Sequence, residues 1–265
     1  MNFIGPGFGS LEEQLWVVLF LSVRVGAALL AAPMVGGIAV PFQIRAMLGV
    51  ILAFFVANWI PVAPPPEMLS FAAVMALFQE ALIGVVLGFV LQVAFIVPLV
   101  AAEQIAGTMG LAIATSIDPT SGAQSGALGQ YFGLLLNLLF FAIGGHLLWF
   151  ELVLESYRLL PAGEFSVGPQ TGQDIVLFAG YGLATAAAIA LPVVLILLLV
   201  QVVTGVISRS APALNLFALG LPAGTLAGIT ALIIVMPIVI EQFAALLEVT
   251  LGQAERFIQP AGGAS

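Results

Sequence analysis

Residues 68–102 read MLSFAAVMALFQEALIGVVLGFVLQVAFIVPLVAA, a stretch of 35 residues in which Glu80 is the only ionisable side chain. A helix of about 20 apolar residues is enough to cross the hydrocarbon core of a bilayer. At about 1.5 Å per residue, a continuous helix over this stretch would extend about 50 Å. The stretch therefore predicts a membrane helix that tilts, kinks or leaves the bilayer.

Five further apolar segments accompany this stretch, at residues 15–33, 40–60, 128–150, 175–207 and 226–247. The segment at 175–207 is again longer than a bilayer requires. Pro98, Pro192 and Pro237 lie inside three of the segments and are predicted kink sites. We find no internal repeat and no linker. The sequence therefore predicts an all-α integral membrane protein of about six long hydrophobic helices, with residues 1–265 as a single domain.

The composition supports a membrane protein. Hydrophobic residues make up 62% of the 265 positions and charged residues only 7%, against about 25% charged in soluble domains. The net charge of −8 argues against a nucleic-acid-binding or polybasic lipid-binding surface. The absence of cysteine excludes disulfides and thiolate metal sites. The first ten residues carry no charge, so the first segment is expected to remain as a helix and not to be a removed signal.

Three segments between the apolar runs are almost uncharged, at residues 34–43, 103–126 and 208–224. They are rich in Gly, Pro, Ser and Thr, yet they also carry Met, Leu, Ile and Phe. Irregular backbone at membrane depth persists only where protein buries it or a wet cavity receives it. We therefore expect these apolar loops to pack against each other, a partner or a pore; the alternative is short interfacial turns.

Polar and small residues recur at every fourth position of residues 80–92, as Glu80, Gly84, Gly88 and Gln92. The two glycines form a small-residue motif that lets another helix approach closely. A carboxylate and an amide on the same face favour helix packing through hydrogen bonds, or alternatively a proton or ion relay. Glu103 and Glu241 are the other carboxylates that such a relay would use.

Arg24 is the only base deep inside an apolar segment. Burying its charge is costly unless an acid pairs with it, so we expect a partner in Glu80 or Glu241. His146 is the sole histidine, and with no cysteine or nearby carboxylate pair it does not predict a metal site. No nucleophile elbow, P-loop or acid–base pair is present. The sequence predicts neither a catalytic nor a cofactor-binding site, and no enzyme.

Two stretches resemble the flagellar biosynthetic protein FliR family. Residues 102–120, AEQIAGTMGLAIATSIDPT, are similar to a hallmark of that family in which a Glu, a Met-Gly-Leu run and an Asp-Pro follow each other. Residues 209–222, RSAPALNLFALGLP, are similar to the family's Arg-x-Ala-Pro-Gln-Leu-Asn-Ile-Phe motif. The resemblance extends over nearly the whole chain. The motif positions expected to be structural are His146, Arg209, Pro212, Asn215, Phe217, Gly220 and Pro222.

This resemblance implies a subunit of the flagellar type III export gate in the bacterial inner membrane, within the basal body. Members of the family form a helical pore with FliP-like and FliQ-like membrane subunits, and an FlhB-like switch protein associates with the pore. Unfolded flagellar proteins pass through it. An export-gate subunit of this kind would contact lipid and partner proteins, and no nucleic acid.

The resemblance also implies a channel plug at residues 107–118. Family members often carry Phe where this chain has Ile113 and Ser116, so either the apolar constriction here is softer or other residues form the seal. A ring of dry apolar side chains can still close a pore by dewetting. The expected constriction residues are Gly107, Met109, Gly110, Leu111, Ile113, Ser116, Ile117 and Asp118.

Two other functions remain open at this point. A homologous subunit of a virulence injectisome would have the same architecture and a different cargo. A proton- or ion-coupled permease would use Glu80, Glu103 and Glu241, although such transporters are usually built from internal repeats.

Overall fold

A computed structural model describes residues 11–33, 40–60, 66–68, 70–111, 126–161, 169–210 and 216–259. Within these ranges the chain forms α-helices and no strand. The helices are α1 Leu11–Ala31, α2 Phe42–Trp59, α3 Phe71–Thr108, α4 Ala127–Ala142, α5 Gly145–Leu159, α6 Pro169–Ser210 and α7 Leu216–Ile258. The expected all-α membrane architecture is confirmed.

Five of these helices are long and apolar enough to cross a membrane, and the bent pair α4 and α5 brings the number to six. Three helices far exceed a bilayer: α3 has 38 residues, α6 has 42 and α7 has 43. At about 1.5 Å per residue they measure about 57–65 Å, roughly twice the thickness of the hydrocarbon core. All three continue past their prolines, Pro98 in α3, Pro192 in α6, and Pro222 and Pro237 in α7.

The prediction of one helix over the fourth apolar segment, residues 128–150, is wrong, because two helices, α4 and α5, occupy it. It is interrupted at Gly144, which adopts a left-handed conformation with φ of 72°. Glycine reaches this region without the steric penalty that other residues incur, so it commonly ends a helix. His146 consequently lies in the first turn of α5 and not near the end of a fourth helix.

Two of the predicted loops are also shorter than the sequence suggested. Residues 103–108 belong to α3, and of residues 208–224 only 211–215 fall between α6 and α7. Some of the residues that predicted apolar loops therefore belong to helices. Gly, Ser and Thr are tolerated in membrane helices, because the backbone groups of a helix bond internally.

The chain divides into two compact units. The first comprises Met1–Gln92, Gly144–Leu177 and Thr250–Ser265, and the second comprises Val93–Ile143 and Phe178–Val249. The core of the first unit holds its largest buried side chains, among them Phe20, Leu21, Leu87, Trp149 and Tyr157. The core of the second contains edge-to-face ring pairs with centroids 5.5–5.7 Å apart, Phe95 with Phe140 and Phe132 with Phe243.

Glycines lie at helix contacts within each unit. In the first unit, a β-carbon on Gly49 of α2 would lie 3.5 Å from the α-carbon of Gly26 in α1. In the second, a β-carbon on Gly182 of α6 would lie 2.7 Å from a methyl group of Val93 in α3. Helix contact of this kind is typical of membrane proteins, where association relies on van der Waals packing at small residues.

Candidate functional site

Arg24 of α1 and Glu80 of α3 form a buried ion pair in the first unit. The Nε of Arg24 donates to one carboxylate oxygen of Glu80 over 2.8 Å, and one terminal nitrogen donates to the other over 2.7 Å. Neither side chain is exposed. Of the two carboxylates considered from the sequence, Glu80 is thus the one that contacts Arg24. The two parallel bonds match the fork geometry that makes arginine–carboxylate pairs strong and directional.

The remaining donors of Arg24 bind the C-terminal part of α5. One terminal nitrogen donates to the carbonyl and hydroxyl oxygens of Ser156, over 2.7 and 3.1 Å, and the other donates to the carbonyl of Leu160 over 2.9 Å. The guanidinium carbon also lies 4.2 Å from the ring centroid of Tyr157, a cation–π distance. A guanidinium has five N–H donors, and these five bonds satisfy them.

Two further polar groups stabilise this junction of α1, α3 and α5. The hydroxyl of Tyr157 donates to the carbonyl of Leu21 in α1, and the indole nitrogen of Trp149 donates over 3.2 Å to the carbonyl of Leu87 in α3. Both aromatic rings are buried. Each ring places its one polar group against a carbonyl of a neighbouring helix, which is the usual requirement for burying Tyr or Trp. We call Arg24, Glu80, Ser156, Leu160 and Tyr157 the buried arginine cluster.

Gly84 and Gly88 bring α3 against α1 beside this cluster. A β-carbon on Gly84 would clash with the carbonyl oxygen of Arg24 and lie 2.9 Å from the backbone nitrogen of Ala28. A β-carbon on Gly88 would lie 2.7 Å from the carbonyl oxygen of Ala28. The small-residue motif thus contacts α1. Because the two backbones approach this closely, the side chains of Arg24 and Glu80 lie within hydrogen-bond reach of each other.

In the second unit, the first residues of the expected constriction form the C-terminal cap of α3. Leu111 N–H donates to the carbonyl of Ala106 over 3.0 Å, and Gly110 N–H donates to that of Gly107 over 3.2 Å. Gly110 has a φ of 80°. These two bonds around a left-handed glycine form a Schellman motif. Gly107 therefore belongs to the helix, while Ile113, Ser116, Ile117 and Asp118 lie outside the described residues.

Met109, within this cap, is 3% exposed and packs on α7. A β-carbon on Gly228 would lie 2.6–2.8 Å from three side-chain atoms of Met109, so a larger residue there would require the thioether to shift. The amide of Gln201 in α6 donates over 2.9 Å to the carbonyl of Thr108, one of the last carbonyls of α3. Side chains from α6 and α7 thereby fix the end of α3.

Glu103 of α3 binds the start of α4. One of its carboxylate oxygens accepts a hydrogen bond from Gly126 N–H over 3.2 Å. A negative charge beside the first turn of a helix interacts favourably with the helix dipole. Glu103 is thus engaged at the N-terminus of α4.

The structure does not bring the other predicted residues to one place. Gln92 is half-buried in α3, Glu241 is exposed in α7, and Arg209 is exposed in the last turn of α6. His146 is half-buried. Gly220 and Pro222 lie in the first turns of α7, and Pro212, Asn215 and the side chain of Phe217 fall outside what the structure describes. No group of metal-ligating side chains occurs among the described residues.

Sequence reasoning missed four members of this arrangement. Ser156, Leu160, Tyr157 and Trp149 were not predicted to form hydrogen bonds. Their spacing along α5 does contain a signal, since Trp149, Val153, Ser156 and Leu160 recur at helical intervals and are all buried. Which carbonyls they meet depends on the neighbouring helices, which the spacing does not specify.

Five helices long and apolar enough to cross a membrane, or six with the bent pair α4 and α5, define a multi-pass integral membrane protein. Residues 15–250 match the family "Bacterial export proteins, family 1". The flagellar biosynthetic protein FliR of Pectobacterium carotovorum subsp. carotovorum is 32% identical over 234 residues, which cover 88% of this chain and 89% of that protein. FliR of Escherichia coli K12 is 30% identical over 226 residues, covering 84% and 86%. The chain belongs to this FliR family of bacterial export proteins.

A second kind of relative matches a smaller part of the chain. The surface presentation of antigens protein SpaR of Shigella flexneri is 31% identical over 153 residues, covering 58% of this chain and 59% of that protein.

Proposed function

We propose that this chain is a structural, pore-forming subunit of the flagellar type III export gate in the bacterial inner membrane, within the flagellar basal body. The observation that carries the proposal is membership of the FliR family over residues 15–250. Three helices of 38 to 43 residues support it, because such lengths exceed what a simple bilayer span needs. The role is to shape a passage for unfolded flagellar proteins and not to catalyse a reaction.

The partners are FliP-like and FliQ-like membrane subunits and an FlhB-like switch protein. Exposed apolar side chains along the long helices support an assembly of this kind. In α6, the side chains of Leu199, Val202 and Val206 are each more than 60% exposed, and in α7 those of Ile233 and Ile234 are about 70% exposed. Lipid can cover such surfaces, but helices longer than the bilayer need protein partners over the remaining length.

Residues 107–118 form the constriction of the closed channel in this proposal. Its beginning is well anchored: Met109 packs on Gly228, and Gln201 binds the last turn of α3. Apolar side chains at a narrow point of a pore can close it by dewetting.

Flagellar export is favoured over injectisome export by the extent of the matches. The matches to FliR of Pectobacterium carotovorum and of Escherichia coli span 89% and 86% of those proteins, and the match to the SpaR protein spans 59% of that protein. A permease is disfavoured by the buried arginine cluster. Both oxygens of Glu80 accept hydrogen bonds from Arg24, so this carboxylate is engaged in helix packing and is not available to bind a transported ion.

Deleting the gene in the bacterium that carries it tests the proposal. The deletion should abolish flagella and the secretion of flagellar proteins, and plasmid-borne chain should restore both. A tagged chain should co-purify with the FliP-like and FliQ-like subunits. Normal flagella in the deletion strain would refute the proposal. Loss of an injectisome phenotype alone would assign the chain to the alternative cargo.

A further inference from the structure

An open groove lies between α5 and the C-terminal part of α7, in the first unit. Its volume is about 340 Å³, and its apolar lining, which we call the floor, includes Leu148, Leu152 and Leu251. Leu148 is 46% exposed although it faces this concave surface. Concave apolar surfaces of about this size are typical of sites that receive side chains of a ligand or partner.

Three carboxylates border the apolar floor: Glu151 and Glu155 of α5 and Glu255 of α7. Glu151 and Glu255 are exposed, and Glu155 is half-buried with an exposed ion pair to Arg158 over 3.2 Å. An apolar surface bordered by one sign of charge favours an occupant that is apolar on one side and positively charged along its edges.

This chain does not itself supply such an occupant. It has no lysine, and its five arginines all lie in the described residues, so the segments outside the described ranges carry no cation. Arg24 is buried, Arg45 donates to the carbonyl of Val40, and Arg158 donates to Glu155. Arg209 and Arg256 are exposed, but each belongs to the last turn of a helix, α6 or α7, and not to a free segment. A second copy has the same composition and a net charge of −8, so two copies would repel each other at this groove.

We propose that the groove binds a cationic amphipathic helix of another membrane protein. Leucine-like side chains of that helix would fill the floor, and Lys or Arg residues one turn apart would meet Glu151 and Glu255. This is the helix-in-groove mode of recognition, in which apolar anchors give affinity and the flanking charges set orientation. The surface differs from the constriction and from the exposed apolar faces of α6 and α7.

Gly252 offers a direct test because it lines the groove and has no atom within 4 Å of where its β-carbon would be. The β-carbon of a G252M side chain therefore meets no neighbour, and methionine also favours the helix over glycine. Gly172 in α6 is the matched control, since it lies in the same unit, is also half-buried and also has no atom within 4 Å. G172M changes composition equally and leaves the groove open.

The probe is a labelled 18-residue helical peptide with leucines on one face and lysines along both edges. Its binding to the full chain in zwitterionic nanodiscs is followed by fluorescence anisotropy. A second peptide carries glutamate in place of lysine. We expect one lysine peptide per chain, affinity that falls as salt rises, and no binding of the glutamate peptide.

The variants should separate groove binding from adsorption to lipid. We expect G252M and the double variant E151Q/E255Q each to weaken binding about tenfold, and G172M to leave it unchanged. Equal binding to G252M and to the unaltered chain would overturn the proposal, as would equal binding of the two peptides. Retention of helicity by all variants, measured by circular dichroism, excludes misfolding as the cause. The result does not depend on flagellar export, so its failure leaves the proposed function untouched.

Discussion

The guanidinium of Arg24 and the carboxylate of Glu80 meet through two hydrogen bonds of 2.7 and 2.8 Å, and both side chains are completely buried. A pair of this kind contributes little net stability compared with apolar residues of similar size, because both charges lose their hydration. Losing one partner is different, since the other charge then stays buried without compensation. The pair also fixes which faces of α1 and α3 meet.

A double-mutant cycle tests this coupling. R24M alone leaves Glu80 uncompensated and should lower the free energy of unfolding by about 3–5 kcal/mol. E80M alone should cost less, because Arg24 keeps its bonds to Ser156 and Leu160. The double variant R24M/E80M should be clearly more stable than the sum of the two single losses predicts. The measurement is unfolding in detergent micelles, followed by circular dichroism.

The exposed Glu241 provides the control for this cycle. E241M should change the free energy of unfolding by no more than about 0.5 kcal/mol, and it should not rescue R24M. Additive losses in R24M/E80M, or rescue by E241M, would contradict the pairing.

Replacing Gly84 by alanine should force α1 and α3 apart. The new methyl group would meet the backbone of Arg24 and Ala28, which cannot move as a flexible side chain can. We expect G84A to lower the free energy of unfolding by about 1–3 kcal/mol. G107A in the same helix is the control, because no atom lies within 4 Å of the β-carbon position, and it should stabilise α3 by about 0.5–1 kcal/mol. Equal effects of the two variants would show that helix propensity, and not backbone contact, governs this region.

The contact between Met109 and Gly228 should behave as a coupled pair. A methyl group at position 228 would displace Met109, so G228A should cost about 1–3 kcal/mol of unfolding free energy, and M109A should restore part of this loss in the double variant. Gly224 provides the comparison, since a β-carbon there would lie 3.6 Å from the carbonyl of Met109, an ordinary contact. G224A should therefore be nearly neutral. No recovery in M109A/G228A would mean that Met109 is not the group displaced.

Deleting residues 110–116 should make the resting membrane leak ions, because the proposed constriction would lose its apolar seal. The measurement is membrane conductance, or dye entry into cells, with the deleted chain produced at the level of the unaltered one. Unchanged conductance would rule out these residues as the plug. Co-purification with the partner subunits must be preserved, so that a leak reports the open channel and not a missing subunit.

The sequence by itself determined that this is an all-helical membrane protein: 62% hydrophobic and 7% charged residues indicate a membrane protein, and apolar runs of about 20 residues or more indicate helices. It also indicated that Arg24 needs an acidic partner and that Gly84 and Gly88 form a helix contact. Both follow from local rules: a buried charge must be compensated, and small residues at a spacing of four share one helix face.

Only the tertiary structure decided which acid pairs with Arg24, because the choice between Glu80 and Glu241 depends on which helices are neighbours. It also ended the fourth helix at Gly144 and extended α3 to a cap around Gly110. These positions depend on glycine adopting positive φ, and glycine is nearly indifferent to the sign of φ until its surroundings select one. The hydrophobic pattern of the sequence indicates which residues are buried. It does not indicate which hydrogen-bond partner each buried polar group has.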